Sequence, residues 1–209
     1  MTAQVGRMSV EEFEMVLTDG RRHELVRGEV RTMPPSKGDH GFIEFAVLAV
    51  IDRYLEARAV SLGWDATTGD QAERDALVGR VGSGDVGLRF AVPDDPGQIR
   101  GADGVYVAPD QVTGIAWAEG EYFPGVPALV IEVVSQTDRA DHIAEKVQDY
   151  LAGGARRVWV LYPRQRAIHV HDADYPTRVV RGTDNLTDDD LFPGLVIPLG
   201  RVFGAYARA

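Results

Sequence analysis

The chain has 209 residues, 44% hydrophobic and 26% charged, an ordinary globular composition at a length one core can serve, so residues 1–209 are expected to form a single domain. It contains no cysteine, which excludes disulfides, thiolate metal sites and cysteine nucleophiles. The formal charge of −10 repels nucleic-acid phosphate at long range, but carboxylates gathered at one site can be neutralised locally by a bound cation.

The N-terminus has no basic start followed by an apolar stretch, and no apolar run approaches the ~20 residues of a membrane span, so a cytoplasmic protein without membrane contact is expected. Ser9 to Leu17 predicts a short helix, with Ser9 and Glu12 in capping-box spacing. His23 to Met33 predicts a hairpin turning at Arg27-Gly28. The longest helix is expected at 39–61, where apolar residues recur with a period of 3.6. Strands are expected at Trp64 to Thr68 and Asp85 to Val92, separated by a polar, glycine-rich excursion expected to be mobile. A short strand at "ADGVYVAP" comes next. The segment 128–162 then predicts strand, helix (139–152) and strand, a βαβ unit with parallel strands. "AIHVHD" and "TRVVRG" suggest a closing hairpin, and the chain ends in a turn and short helix. The expected class is α/β, a mixed central sheet flanked by helices.

Three charged residues interrupt this apolar pattern. Glu132 lies within "ALVIEVV", where both alternating faces are otherwise apolar, as in a strand covered on both sides. A carboxylate there must be paired, protonated or metal-bound. Lys146 shares the helix stripe of Ile143, Val147, Tyr150 and Leu151, whereas Glu145 and Asp149 are expected on the wetter side. Lysines on such stripes also snorkel to solvent. The crossover folds this helix back over the strand that carries Glu132. Asp103, between Gly101 and Gly104, reads either as a turn aspartate or as a second oxygen ligand beside Glu132 for a hard cation.

These residues, with "HELVRGEVRTMPPSKGDHGFI", "GADGVYVAP" and "PALVIEVVSQTDRADHIAEKVQDYLAGGARRVWVLYP", resemble the Uma family of restriction-type endonucleases within the PD-(D/E)XK nuclease superfamily. The resemblance implies a restriction-endonuclease-like core, with catalytic residues Asp103, Glu132 and Lys146. Asp103 and Glu132 would bind Mg2+, for which Mn2+ could substitute. The superfamily lysine normally follows the glutamate by two residues, where this chain has Val134. The family moves it to the next helix, and Lys146 matches that position, with Tyr150 on the same helix face. Glu24 and His40 match further polar positions and are taken as supporting residues. Ala102 stands where the family has proline. The implied activity is metal-dependent hydrolysis of DNA phosphodiester bonds, leaving 5′-phosphate and 3′-hydroxyl ends. A homodimer would suit the cutting of two strands.

Other motifs carry less. Arg156, Arg157 and Arg164 surround Trp159 and Tyr162 in a pattern that could contact nucleic acid, although surface arginines around a buried strand read the same way. His169 and His171 lack a third metal ligand nearby, and no G-x-S-x-G elbow accompanies Ser135, Asp141 and His142. The acidic balance, and the lack of a sequence-reading module, also suit a non-catalytic interaction protein on the same scaffold.

Overall fold

A computed structural model describes residues 7–16, 20–34, 38–115 and 120–204. In chain order the elements are α1 (Val10–Val16), β1 (Arg22–Val26), β2 (Glu29–Met33), α2 (Gly38–Ser61), α3 (Gln71–Val78), β3 (Arg80–Val92), β4 (Asp95–Val107), α4 (Pro109–Gly114) and β5 (Phe123–Pro124). There follow β6 (Leu129–Val133), α5 (Ala140–Ala152), β7 (Arg157–Tyr162), β8 (Ala167–His171), β9 (Arg178–Arg181), β10 (Asn185–Leu186), β11 (Ile197–Pro198) and α6 (Leu199–Phe203). No described helix is long and apolar enough to cross a membrane.

The main sheet is mixed and runs β2-β1-β4-β6-β7-β8-β9, with β3 along β4 and β5 on β3; β10 and β11 form a separate pair. The strands β6 and β7 are parallel and joined by α5, so the βαβ unit is present as expected. Side chains alternate across β6. Leu129, Ile131 and Val133 join the core formed with Ile43, Val47 and Ile51 of α2, while Val130 joins the core on the other face with Val147 and Tyr150 of α5. Glu132 falls in the α5 phase.

Local signals placed several elements as expected. Ser9 Oγ accepts from the Glu12 amide at 3.2 Å, and the Glu12 carboxylate accepts from the Ser9 amide at 2.8 Å, a complete capping box. Leu17 lies outside the described residues. Arg27 and Gly28 both take positive φ, 52° and 76°, as a two-residue hairpin turn demands.

Two expectations fail. Trp64 to Thr68 is a turn, because the Asp65 carboxylate caps the amides of Thr67 and Thr68 and the Thr68 hydroxyl, a local competitor to strand pairing. The segment after it is regular. Asp70 caps α3 by accepting from the Ala72 amide, and β3 begins as early as Arg80, paired with Val107. Its glycines serve particular backbone positions. Gly79 has φ 77° and ψ −173°, and a Cβ there would lie 2.3 Å from the Val107 carbonyl oxygen.

Gly79→Ala should therefore lose about 3 kcal/mol, from backbone strain together with the clash against the Val107 carbonyl. That corresponds to a fall of roughly 6–12 °C in Tm, measurable by calorimetry. A variant as stable as the parent would show that the α3–β3 joint is not held in this conformation.

Candidate active site

The edges of β4 are shared unequally. Along one edge β3 pairs from Arg80 to Val92. On the other, β1 pairs at Ile99 and β6 at Gly104 to Tyr106, so among the described residues Arg100 to Asp103 have no strand partner there. Asp103 also falls opposite an irregularity in β3, where Gly84 and Asp85 both take positive φ and the Gly84 amide donates to Glu44 of α2. Buried backbone groups need partners, and here side chains supply them. The Gly101 amide donates to Glu24 Oε1 at 3.1 Å. The Gly101 carbonyl accepts from Lys146 Nζ at 2.9 Å and from the Tyr150 hydroxyl at 3.2 Å.

The residues gathered at this gap come from five elements, β1, α2, β4, β6 and α5. Lys146 Nζ lies 3.1 and 3.0 Å from the two oxygens of Glu132 and 3.1 Å from Glu24 Oε1. The Tyr150 hydroxyl donates to Glu132 Oε1 at 2.8 Å. Asp103 Oδ2 accepts from the Val133 amide at 2.7 Å and lies 3.1 Å from His40 Nε2. Glu24, His40, Asp103, Glu132, Lys146 and Tyr150 are all buried. The structure thus brings together all six residues named as catalytic or supporting.

Asp103 sits within β4 and not in a turn. Arg164, just after β7, stays near the site, lining a pocket with His40. Arg156 and Arg157 do not. Arg157 pairs in register with Leu129, three residues or about 10 Å along β6 from Glu132. It contacts Asp172, Asp188 and Asp190, while Arg156 pairs with Asp110.

Burial shapes the charges. It pushes the Glu132 carboxyl up to about 7, against the opposing pull of Lys146. Burial works against the Lys146 ammonium, but Glu132, Tyr150 and Glu24 hold its pKa well above the usual lysine value. Burial likewise disfavours ionised Asp103, yet the bond to His40, with the Lys146 charge and the Val133 amide, keeps its carboxyl below the usual range. His40 is penalised by burial but raised overall by Asp103, Glu44 and Glu132.

A second layer holds the first. Arg100, 1% exposed, bonds Gln98 Oε1 and Glu24 Oε2 and reaches Glu145 and Asp149 of α5. Arg27 and Arg31, from the β1–β2 hairpin, converge on the same acids. Asp149 is therefore buried at 3% exposure, correcting its placement on the wetter side of α5; its partners lie on distant elements. Arg100 escaped the sequence reading because the strand was expected to start at Ala102. The signal available was an arginine adjoining an apolar strand, opposite a helix with acids spaced i, i+4.

The site opens into a cleft of about 610 Å³, lined by six Lys or Arg and five Asp or Glu side chains. That local balance contrasts with the −10 of the whole chain. Among the described residues no group of three or more His, Asp or Glu forms a metal cage. The donor set still fits a hard cation held by two carboxylates plus water and phosphate. A carboxylate offers about four acceptor positions. Neither contact made by Asp103 uses Oδ1, and Glu132 Oε2 accepts only from Lys146.

The model of the Uma2 family, described as "Putative restriction endonuclease", matches residues 10–200. A solved structure described as a putative nuclease from Anabaena variabilis superposes with a TM-score of 0.70 at 15% identity, covering 94% of this chain and 98% of the other. That likeness shows a shared fold. No curated protein matches the sequence.

Two measurements test this electrostatic picture. Arg100→Met removes the buried cation that Glu24 and Asp149 share, leaving Glu24 with Lys146 and Asp149 with Arg27, and should cost about 3 kcal/mol in denaturant unfolding. A loss below about 1 kcal/mol would mean the network is not buried as described. For Glu132, a carboxyl raised in the folded state stabilises the fold fully below its unfolded value near 4.5 and loses that contribution as pH rises toward about 7. Wild-type stability relative to Glu132→Gln should fall across this window, and a flat difference would refute the raised value.

Proposed function

The chain belongs to the Uma2 family of restriction-type endonucleases, and on that premise we propose that it is a metal-dependent endonuclease acting on DNA. The observation that carries this reading is the convergence of Asp103, Glu132 and Lys146 on the unpaired stretch of the β4 edge, inside a cleft whose local charge is close to balanced.

Asp103 and Glu132 would hold Mg2+, or Mn2+ in its place. When bound, such an ion polarises the scissile phosphate and lowers the pKa of a bound water. The protein's own groups do the rest. His40 and the Val133 amide fix Asp103 through one oxygen, leaving the other for a ligand. Lys146 remains an ammonium, so its part is to stabilise negative charge developing on phosphate, and proton abstraction does not suit it. Tyr150 and the Gly101 carbonyl hold that ammonium and Glu132 in one geometry. Arg21, Arg22 and Arg139 line the cleft where a phosphate backbone would approach.

One observation favours a second reading, a non-catalytic interaction protein on this scaffold. Lys146 has three protons, and Gly101, Glu132 and Glu24 already surround them, as in a purely structural ion pair.

Incubating supercoiled plasmid or single-stranded DNA with the protein in Mg2+, Mn2+ or EDTA separates the two. Metal-dependent cleavage is expected, abolished by EDTA and by Glu132→Gln. Lys146→Met should slow it by about 10²–10³. No cleavage in either metal, or equal cleavage by folded Glu132→Gln, would retire the nuclease reading.

A further inference from the structure

Beside the cleft lies a second, smaller pocket of about 140 Å³, bounded by the end of β6, the turn after β7 and the first turn of α2. His40 and Ser135 line both cavities, so the two adjoin within a few ångströms of Asp103. The apolar part of the pocket wall is Val134, Tyr162 and Pro163. Tyr162 is braced by His169, the ring centroids 4.4 Å apart. The turn is stiff: Pro163 opens it, and Arg166 closes it at φ 47°, donating back to the Pro163 carbonyl at 3.1 Å. Asp39, whose carboxylate accepts from the His40 amide, also lines the pocket, with Gln136, Arg164 and Gln165, and among the described residues these last three make no side-chain hydrogen bond or ion pair.

We propose that this pocket receives one unstacked pyrimidine base of the strand being cut, making Gln136 and Gln165 specificity-determining residues. The assignment rests on the nuclease reading for its substrate class, and three features select the ligand. Size comes first: a cavity of ~150 Å³ accepts a benzene ring, so this one, at about 140 Å³, matches a single six-membered ring better than a fused purine. The second is chemistry. An aromatic and aliphatic wall suits the flat faces of a base, and each glutamine amide offers both a donor and an acceptor, as the edge of a pyrimidine requires. Arg164 is the cation available for the attached phosphate. The third is access. A base inside this pocket cannot remain stacked in a duplex, so the preferred substrate is single-stranded or locally opened DNA.

The test reads binding in EDTA, where nothing is cut. Fluorescence anisotropy would compare a labelled single-stranded dA tract carrying one central dC or dT with the same tract carrying an abasic site or unbroken dA. The pyrimidine should bind on the order of tenfold tighter, the scale of one stacked base. The exposed double variant Gln136→Ala/Gln165→Ala should lose that preference while still binding the tract. Equal affinity for all three strands, or a preference that survives in the double variant, overturns the proposal. Cleavage with Mg2+, measured separately, keeps the two readings apart. Pyrimidine preference without cleavage supports the pocket and retires the nuclease, and cleavage without preference does the reverse.

Discussion

The organising constraint is the unpaired stretch of β4. A strand's amides and carbonyls must be satisfied, and at Arg100 to Asp103 no neighbouring strand among the described residues does so on the site-facing edge. Glu24, Lys146 and Tyr150 take over at Gly101, and Asp103 in turn accepts from the backbone of β6. The bonds that complete the sheet are therefore the bonds that assemble the site. Glu24, Asp103, Lys146 and Tyr150 are each fixed by a backbone group whose position the fold dictates, and Glu132 and His40 are held through them, which gives the preorganisation that electrostatic catalysis depends on.

Desolvation raises the stakes of this arrangement. Four carboxylates, Glu24, Asp103, Glu132 and Asp149, and two strong cations, Lys146 and Arg100, lie buried around the unpaired stretch of β4, and any one left alone would be costly. They are tolerated because each is shared. Glu24 meets both Lys146 and Arg100, and Asp149 meets both Arg100 and Arg27. The β1–β2 hairpin is thereby tied electrostatically to α5, which lies over the opposite strand neighbours. A chain of net charge −10 thus keeps a cleft of nearly balanced charge, lined by five arginines and Lys146 against five carboxylates.

The parts of the molecule visible in the sequence are those whose pattern is local. Alternation through "ALVIEVV" put Glu132 in an apolar strand, and the 3.6 period put Lys146 and Tyr150 on one helix stripe. The crossover rule then folded that helix over its strand, so the Glu132–Lys146 contact followed from local pattern and handedness. The Ser9 cap and the Arg27-Gly28 turn were equally legible, because each is decided within four residues.

What tertiary structure decided are the matters settled between distant segments. Arg100 and Asp149 are 49 residues apart, and neither looks buried by its neighbours in sequence. The early start of β3 and the gap between β1 and β6 depend on which backbone groups find partners across the sheet, whereas the capped turn at 65–68 is local, set by Asp65. Sequence determined which residues were too polar for their apolar surroundings, since that is a property of composition along one element. Only the folded sheet decided that they share one gap, since strand order and register fix distances that no single element encodes.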